Sequence, residues 1–189
     1  MNDTKLNKEI YKEQYLFEHN RKQFYDKLIQ YPTTLLIVFI GSALYCFNKY
    51  FPRGLTELNT FSDWLFTVAF ILFSLSVILT IWNLGIVFHG FTRKYDYLPN
   101  TKVLFNYELS LYKYYYKYSD IKDYQEKREF AKDKTCEEFE KVLKTYYREM
   151  TSQNQEINDH RAESYYFTRT FLFIDLVFLI IIGTIAILN

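Results

Sequence analysis

A chain of 189 residues with 23 basic and 22 acidic side chains, net charge +1, is long enough for one compact soluble domain. It lacks the basic excess that nucleic-acid binding requires, and residues 91–169 alone hold fifteen basic against fourteen acidic side chains. The slightly negative mean hydropathy conceals three apolar stretches, which exclude a purely soluble protein.

The first 27 residues carry six basic and five acidic side chains and no apolar core, so they do not read as a cleaved signal peptide. From Lys5 to Gln30, Leu6, Ile10, Phe17, Phe24, Leu28 and Tyr31 fall on one helical face, which predicts an amphipathic helix. Pro32 disfavours helix at Tyr31. It either ends this helix and opens the next as a first-turn residue or kinks one continuous helix.

The first predicted span is Leu28 to Asn48, with Gly41, Ser42 and Ala43 small enough for close helix approach. Pro52 and Gly54 mark a short turn. Trp64 to Thr92 is then a run of 29 residues without a charge, closed by Arg93 and Lys94. A hydrocarbon core of ~30 Å needs only about 20 helical residues, so this is a membrane span. Within it Ser76, Thr80 and Asn83 form a polar stripe, continued by Val87 and Gly90, suited to bonding another helix or lining a wet path. His89 sits at the boundary.

Pro99-Asn100 signals a turn before a helix from about Thr101. Leu104, Tyr107, Leu111, Tyr114, Tyr118 and Ile121 recur at coiled-coil spacing. A break is expected at Asp133 to Thr135, after which Phe139, Leu143, Tyr146, Met150 and Ile157 resume a seam. Leu111 and Leu143 are the candidate oligomer contacts. Asn154, Asn158, Arg161, Tyr165 and Thr168 share one helical face with Leu172 and Asp175, a candidate coupling stripe. No proline interrupts Cys136 to Leu188, so this helix can run into the third span, Thr170 to Asn189. Asp175 lies inside that span, where a carboxylate costs from about 2.5 kcal/mol upward unless paired, hydrated or protonated.

Lys and Arg bias their loops to the cytoplasm. Arg21, Lys22 and Lys27 precede the first span, Arg93 and Lys94 follow the second, and Arg161 and Arg169 precede the third, against only Lys49 and Arg53 in the intervening loop. The expected protein is all-α, with a cytoplasmic amphipathic helix at 1–31, a transmembrane hairpin at 32–92, a cytoplasmic helical hairpin at 93–167 and a final span at 168–189. Cys46 and Cys136 fall on opposite sides and are not expected to pair.

Glycine-rich phosphate loops, Cys-x-x-Cys, His-Glu-x-x-His and Gly-x-Ser-x-Gly are missing, and three scattered histidines make no metal site. A non-enzymatic protein without cofactor or metal is expected. The hairpin from Thr33 to Thr92, the charged helical region from Lys102 and the polar stretch Gln153 to Arg161 together resemble the architecture of small membrane proteins of prokaryotic antiviral systems, SLATT-type effectors and the membrane accessory proteins of type VI CRISPR loci. That resemblance implies an inner-membrane protein that alters permeability when a cytoplasmic partner or signal releases it. On that reading the partners are the bilayer, further copies of the chain and a cytoplasmic protein, with Asp175, Asn83, Thr80 and Ser76 lining a path. The alternative is an anchor that restrains a cytoplasmic enzyme.

Overall fold

The computed structural model describes the backbone of residues 2–51, 60–92 and 94–188, and the side chains of the same residues except 2–7 and 89–92. Pro52, Arg53, Gly54, Arg93 and Asn189, and the side chains of Leu6 and His89, therefore lie outside the described residues. The order is α1 (Asn2–Leu28), α2 (Gln30–Tyr50), α3 (Phe61–Thr92), α4 (Thr101–Tyr118) and α5 (Tyr124–Leu188). Three helical stretches are long and apolar enough to cross a membrane: Lys8–Tyr50, Phe61–Phe88 and Tyr124–Leu188.

The joint between α1 and α2 falls at Ile29, three residues before Pro32. A proline at that position has no N–H to bond the carbonyl one turn earlier. Ile29 nevertheless keeps helical dihedrals, and its backbone bonds on both sides persist, Ile29 N to Tyr25 O and Thr33 N to Ile29 O, each 3.3 Å. Pro32 thus sits in the first turn of α2 and interrupts the helix without ending its course.

Two compact units divide the chain, one comprising Met1–Arg21 and Lys94–Glu156, the other Lys22–Arg93 and Ile157–Asn189. In the second unit, Leu36, Phe39 and Ala43 of α2 join Phe66, Ala69, Phe73, Val77 and Leu84 of α3 and Leu172, Ile182 and Ala186 of α5 in one apolar core. Ala43 is the small residue that admits a neighbour; Gly41 faces open space. The start of α3 is a capping box: Asp63 N donates to Thr60 Oγ1 at 3.2 Å and Thr60 N to Asp63 Oδ2 at 2.7 Å. Tyr50 donates to Asp63 Oδ1 at 2.9 Å, and its ring stacks on Phe66 with centroids 4.4 Å apart. These contacts close the α2–α3 pair at one end.

The other unit has a thinner core. Its buried apolar side chains among the described residues are Tyr15, Tyr95 and Ala131, and α4 has no buried residue. Asn100 caps α4, accepting from Lys102 N at 3.0 Å, as the Pro99-Asn100 signal predicts. The break expected at Asp133 to Thr135 is not there. These residues lie inside α5, Thr135 Oγ1 bonding back to Ala131 O at 2.7 Å. Poor helix formers without Pro or Gly lower helix propensity by only tenths of a kcal/mol each. The turn instead occupies 119–123, where Ser119 Oγ accepts from Ile121 N at 3.3 Å and Asp123 Oδ1 caps α5 through Glu126 N at 2.9 Å.

The heptad-spaced residues Ile10, Phe17, Phe24 and Tyr31 are all exposed, whereas Tyr15 and Glu18 are buried. Helix α1 packs through its tyrosine-bearing face. Tyr15 meets Tyr147 at 5.7 Å between centroids, and Lys8 Nζ donates to Glu140 Oε1 at 2.8 Å.

Candidate functional site

Three polar arrangements contain most of the residues that the sequence singles out. The first joins α3 and α5 inside their apolar stretches. Thr80 and Asp175 are both 0% exposed, and Thr80 Oγ1 donates to Asp175 Oδ2 at 3.0 Å. The same hydroxyl lies 3.0 Å from Ser76 O on its own helix. Ser76, also buried, points its Oγ at Phe171 O, 3.5 Å away. Asp175 Oδ1 has no hydrogen-bond partner. Asn83, half-buried, donates to Leu79 O of its own helix at 2.9 Å and does not join this group. The α3 polar stripe is thus a packing face over Ser76, Thr80 and Val87, and the Thr80–Asp175 bond ties it to α5.

The second arrangement centres on Arg161, 1% exposed. Its Nη2 donates to Asp26 Oδ1 of α1 at 2.7 Å and its Nε to Val87 O of α3 at 3.1 Å. The guanidinium carbon lies 5.5 Å from the Tyr25 ring centroid, a cation–π distance. Val87 lies five residues before the C-terminal end of α3, the negative pole of the helix. A planar guanidinium with five donors can serve a carboxylate, a carbonyl and a ring face together. Tyr165, one turn along α5, sets its ring 6.4 Å from that of Tyr25. Asn158 is fully buried in the same unit. Asp26 was not legible as a site residue in sequence. It lies in a mixed-charge helix that reads as solvated, and the only signal is that a buried arginine demands a counter-charge.

In the other unit Asn154 is 3% exposed and pairs with the backbone of Asp96 in both directions. Asp96 N donates to Asn154 Oδ1 and Asn154 Nδ2 to Asp96 O, both at 3.0 Å. A side-chain amide in this position replaces the partner that an extended segment leaves its backbone without. Leu111 and Leu143 are half-buried. Tyr107 and Phe139 approach to 6.3 Å between centroids, but Tyr114 and Tyr118, the later members of the predicted seam, are exposed. Cys46 and Cys136 are free thiols.

The three arrangements are built of paired charge and shared hydrogen bonds between helices and adjoining backbone. No protein-family model matches the chain, and neither a curated protein nor a solved structure matches it.

Proposed function

We propose that this chain is a non-enzymatic, homo-oligomeric inner-membrane effector of antiviral defence or stress signalling whose spans form or gate a permeation path. Its N-terminus is cytoplasmic, with α1 as an amphipathic helix and α4 and the start of α5 as a cytoplasmic hairpin. The observation that carries the reading is the Thr80–Asp175 pair, buried on a stretch of α3 that bears no charge from Trp64 to Thr92. Intramembrane carboxylates are expensive and concentrate on ion and proton paths. As the helices lie, the pair is closed, so conduction requires α3 and α5 to part there.

Oligomerisation is supported by α4, which has no buried residue and exposes Val103, Phe105, Tyr114 and Tyr118. The same face favours the second reading, a membrane anchor that holds a cytoplasmic protein there and conducts nothing. A voltage-sensitive dye in cells expressing matched levels of protein separates the two. The effector depolarises the membrane, Asp175→Asn alters that response without loss of insertion, and Asp175→Leu alters it more. An anchor leaves the potential unchanged in all three cases while partner binding persists, and that result removes the permeation reading.

A further inference from the structure

The oxygens around Asp175 outnumber the hydrogens available to them. Five converge between α3 and α5: both carboxylate oxygens, Thr80 Oγ1, Ser76 Oγ and Phe171 O. The described donors among them are two hydroxyls. Thr80 has a single hydrogen and two acceptors, Asp175 Oδ2 and Ser76 O, each at 3.0 Å, so when it serves its own helix the carboxylate has no donor from it. Ser76 likewise has a single hydrogen, shared between the Asp175 carboxyl and Phe171 O, the latter 3.5 Å away. Asp175 Oδ1 is unpartnered at 0% residue exposure.

A buried group left in this condition costs about 1–3 kcal/mol, more when charged, unless a proton or a bound cation completes it. Among the described residues no lysine, arginine or histidine forms an ion pair with Asp175, and its Oδ1 has no partner. We infer that the cluster is a binding site for one dehydrated monovalent cation of sodium's size, held by the Asp175 carboxylate, the Ser76 and Thr80 hydroxyls and the Phe171 carbonyl.

Spacing and charge both fit. Hard cations of this radius take oxygen at about 2.4 Å, which puts neighbouring ligands ~3.4 Å apart along an octahedral edge. The two cross-helix separations here are 3.0 and 3.5 Å. Carboxylate, hydroxyl and carbonyl oxygens are the hard donors that a hard cation prefers. One negative charge neutralises one positive charge, whereas a divalent ion would leave a net charge stranded in an apolar surround. Rotation of the Thr80 hydrogen to Ser76 O turns its lone pairs toward the ion.

The site stands apart from the permeation reading, because a bound ion can lock α3 to α5 in a protein that conducts nothing. The test uses purified full-length protein in detergent, with sodium chloride replaced by choline chloride at constant ionic strength. Sodium should raise the Tm saturably by roughly 5 °C. Asp175→Asn should abolish the rise, and Thr80→Val should move its midpoint at least about tenfold to higher sodium. If Asp175→Asn does not fold, equilibrium binding of radioactive sodium to the wild type decides, with about one ion per chain expected. Equal Tm values in sodium and choline for the wild type, an undiminished rise in Asp175→Asn, or no saturable bound sodium overturns the site. Sodium binding in a protein that never depolarises a cell keeps this site and removes the permeation reading alone.

Discussion

The two units hold themselves together by different means. In the unit of Lys22–Arg93 and Ile157–Asn189, an apolar core drawn from α2, α3 and α5 surrounds polar groups that are themselves buried and bonded, Arg161 to Asp26 and Thr80 to Asp175. In the unit of Met1–Arg21 and Lys94–Glu156, the apolar burial is slight, the buried polar contact is Asn154 with the Asp96 backbone, and the Lys8–Glu140 ion pair is partly exposed. Where water is excluded, a hydrogen bond is stronger and a missing partner costs more. Where water has access, each contact is worth little and the ensemble opens more easily. A single substitution should therefore do far more damage beside Arg161 than beside Lys8.

The largest effect belongs to Arg161→Ala. Removing Arg161 leaves the Val87 carbonyl and the Asp26 carboxylate, the latter 22% exposed, without their buried donor and empties the space its side chain filled, at about 2–4 kcal/mol, or a fall in Tm of roughly 8 °C for a chain of this size. Asp26→Leu combined with Arg161→Leu should recover part of that loss, because both charges then leave together. A Tm within about 2 °C of wild type for Arg161→Ala would remove the contrast between the units.

Leu143→Asp and Leu111→Asp come next. Each puts a carboxylate at a half-buried position in the thin-cored unit, at a cost of about 1–3 kcal/mol. Cleavage within 101–118 should rise at least about tenfold in limited proteolysis, with α3 still protected. Light scattering, corrected for bound detergent, should show a smaller oligomer. Unchanged cleavage and unchanged mass in both variants would mean that neither leucine contributes to packing or assembly.

How much of this was legible beforehand follows the same division. The helical class and the three membrane-length helices are read from long apolar runs, charge-free but for Asp175 in the third, where composition decides. Thr80 and Asp175 each stood out as polar residues in apolar surroundings, but nothing in a single sequence says that positions 95 residues apart bond to each other. The most apolar stripe of α1 predicts its packed face, yet Ile10, Phe17 and Phe24 on that stripe are exposed. Tyr15 and Tyr25, which score as half polar, supply contacts on the packed side because a tyrosine ring can be covered while its hydroxyl finds a partner. The turn at 119–123 was hidden because Tyr118 and Ile121 continue the 3–4 spacing across it. Asp123 followed by Glu126 was a helix-start signal at that place.

The smallest effect belongs to Lys8→Met, and its smallness is the informative part. Lys8 and Glu140 lie at 2.8 Å, but their side chains are 23% and 28% exposed. Solvent reaches both, so the pair is worth roughly 0.2–1 kcal/mol, and the methylene stem that methionine retains keeps most of the packing. At 1 M salt the Debye length contracts to about 3 Å, which should remove most of the remaining difference between Lys8→Met and wild type. The Arg161→Ala deficit should persist in the same buffer, because ions do not reach a guanidinium that is 1% exposed. A coupling measured by the Lys8→Met/Glu140→Gln cycle that exceeds about 2 kcal/mol, or that survives 1 M salt, would show that this pair is shielded from water. The thin-cored unit would then be held by buried charge as its counterpart is.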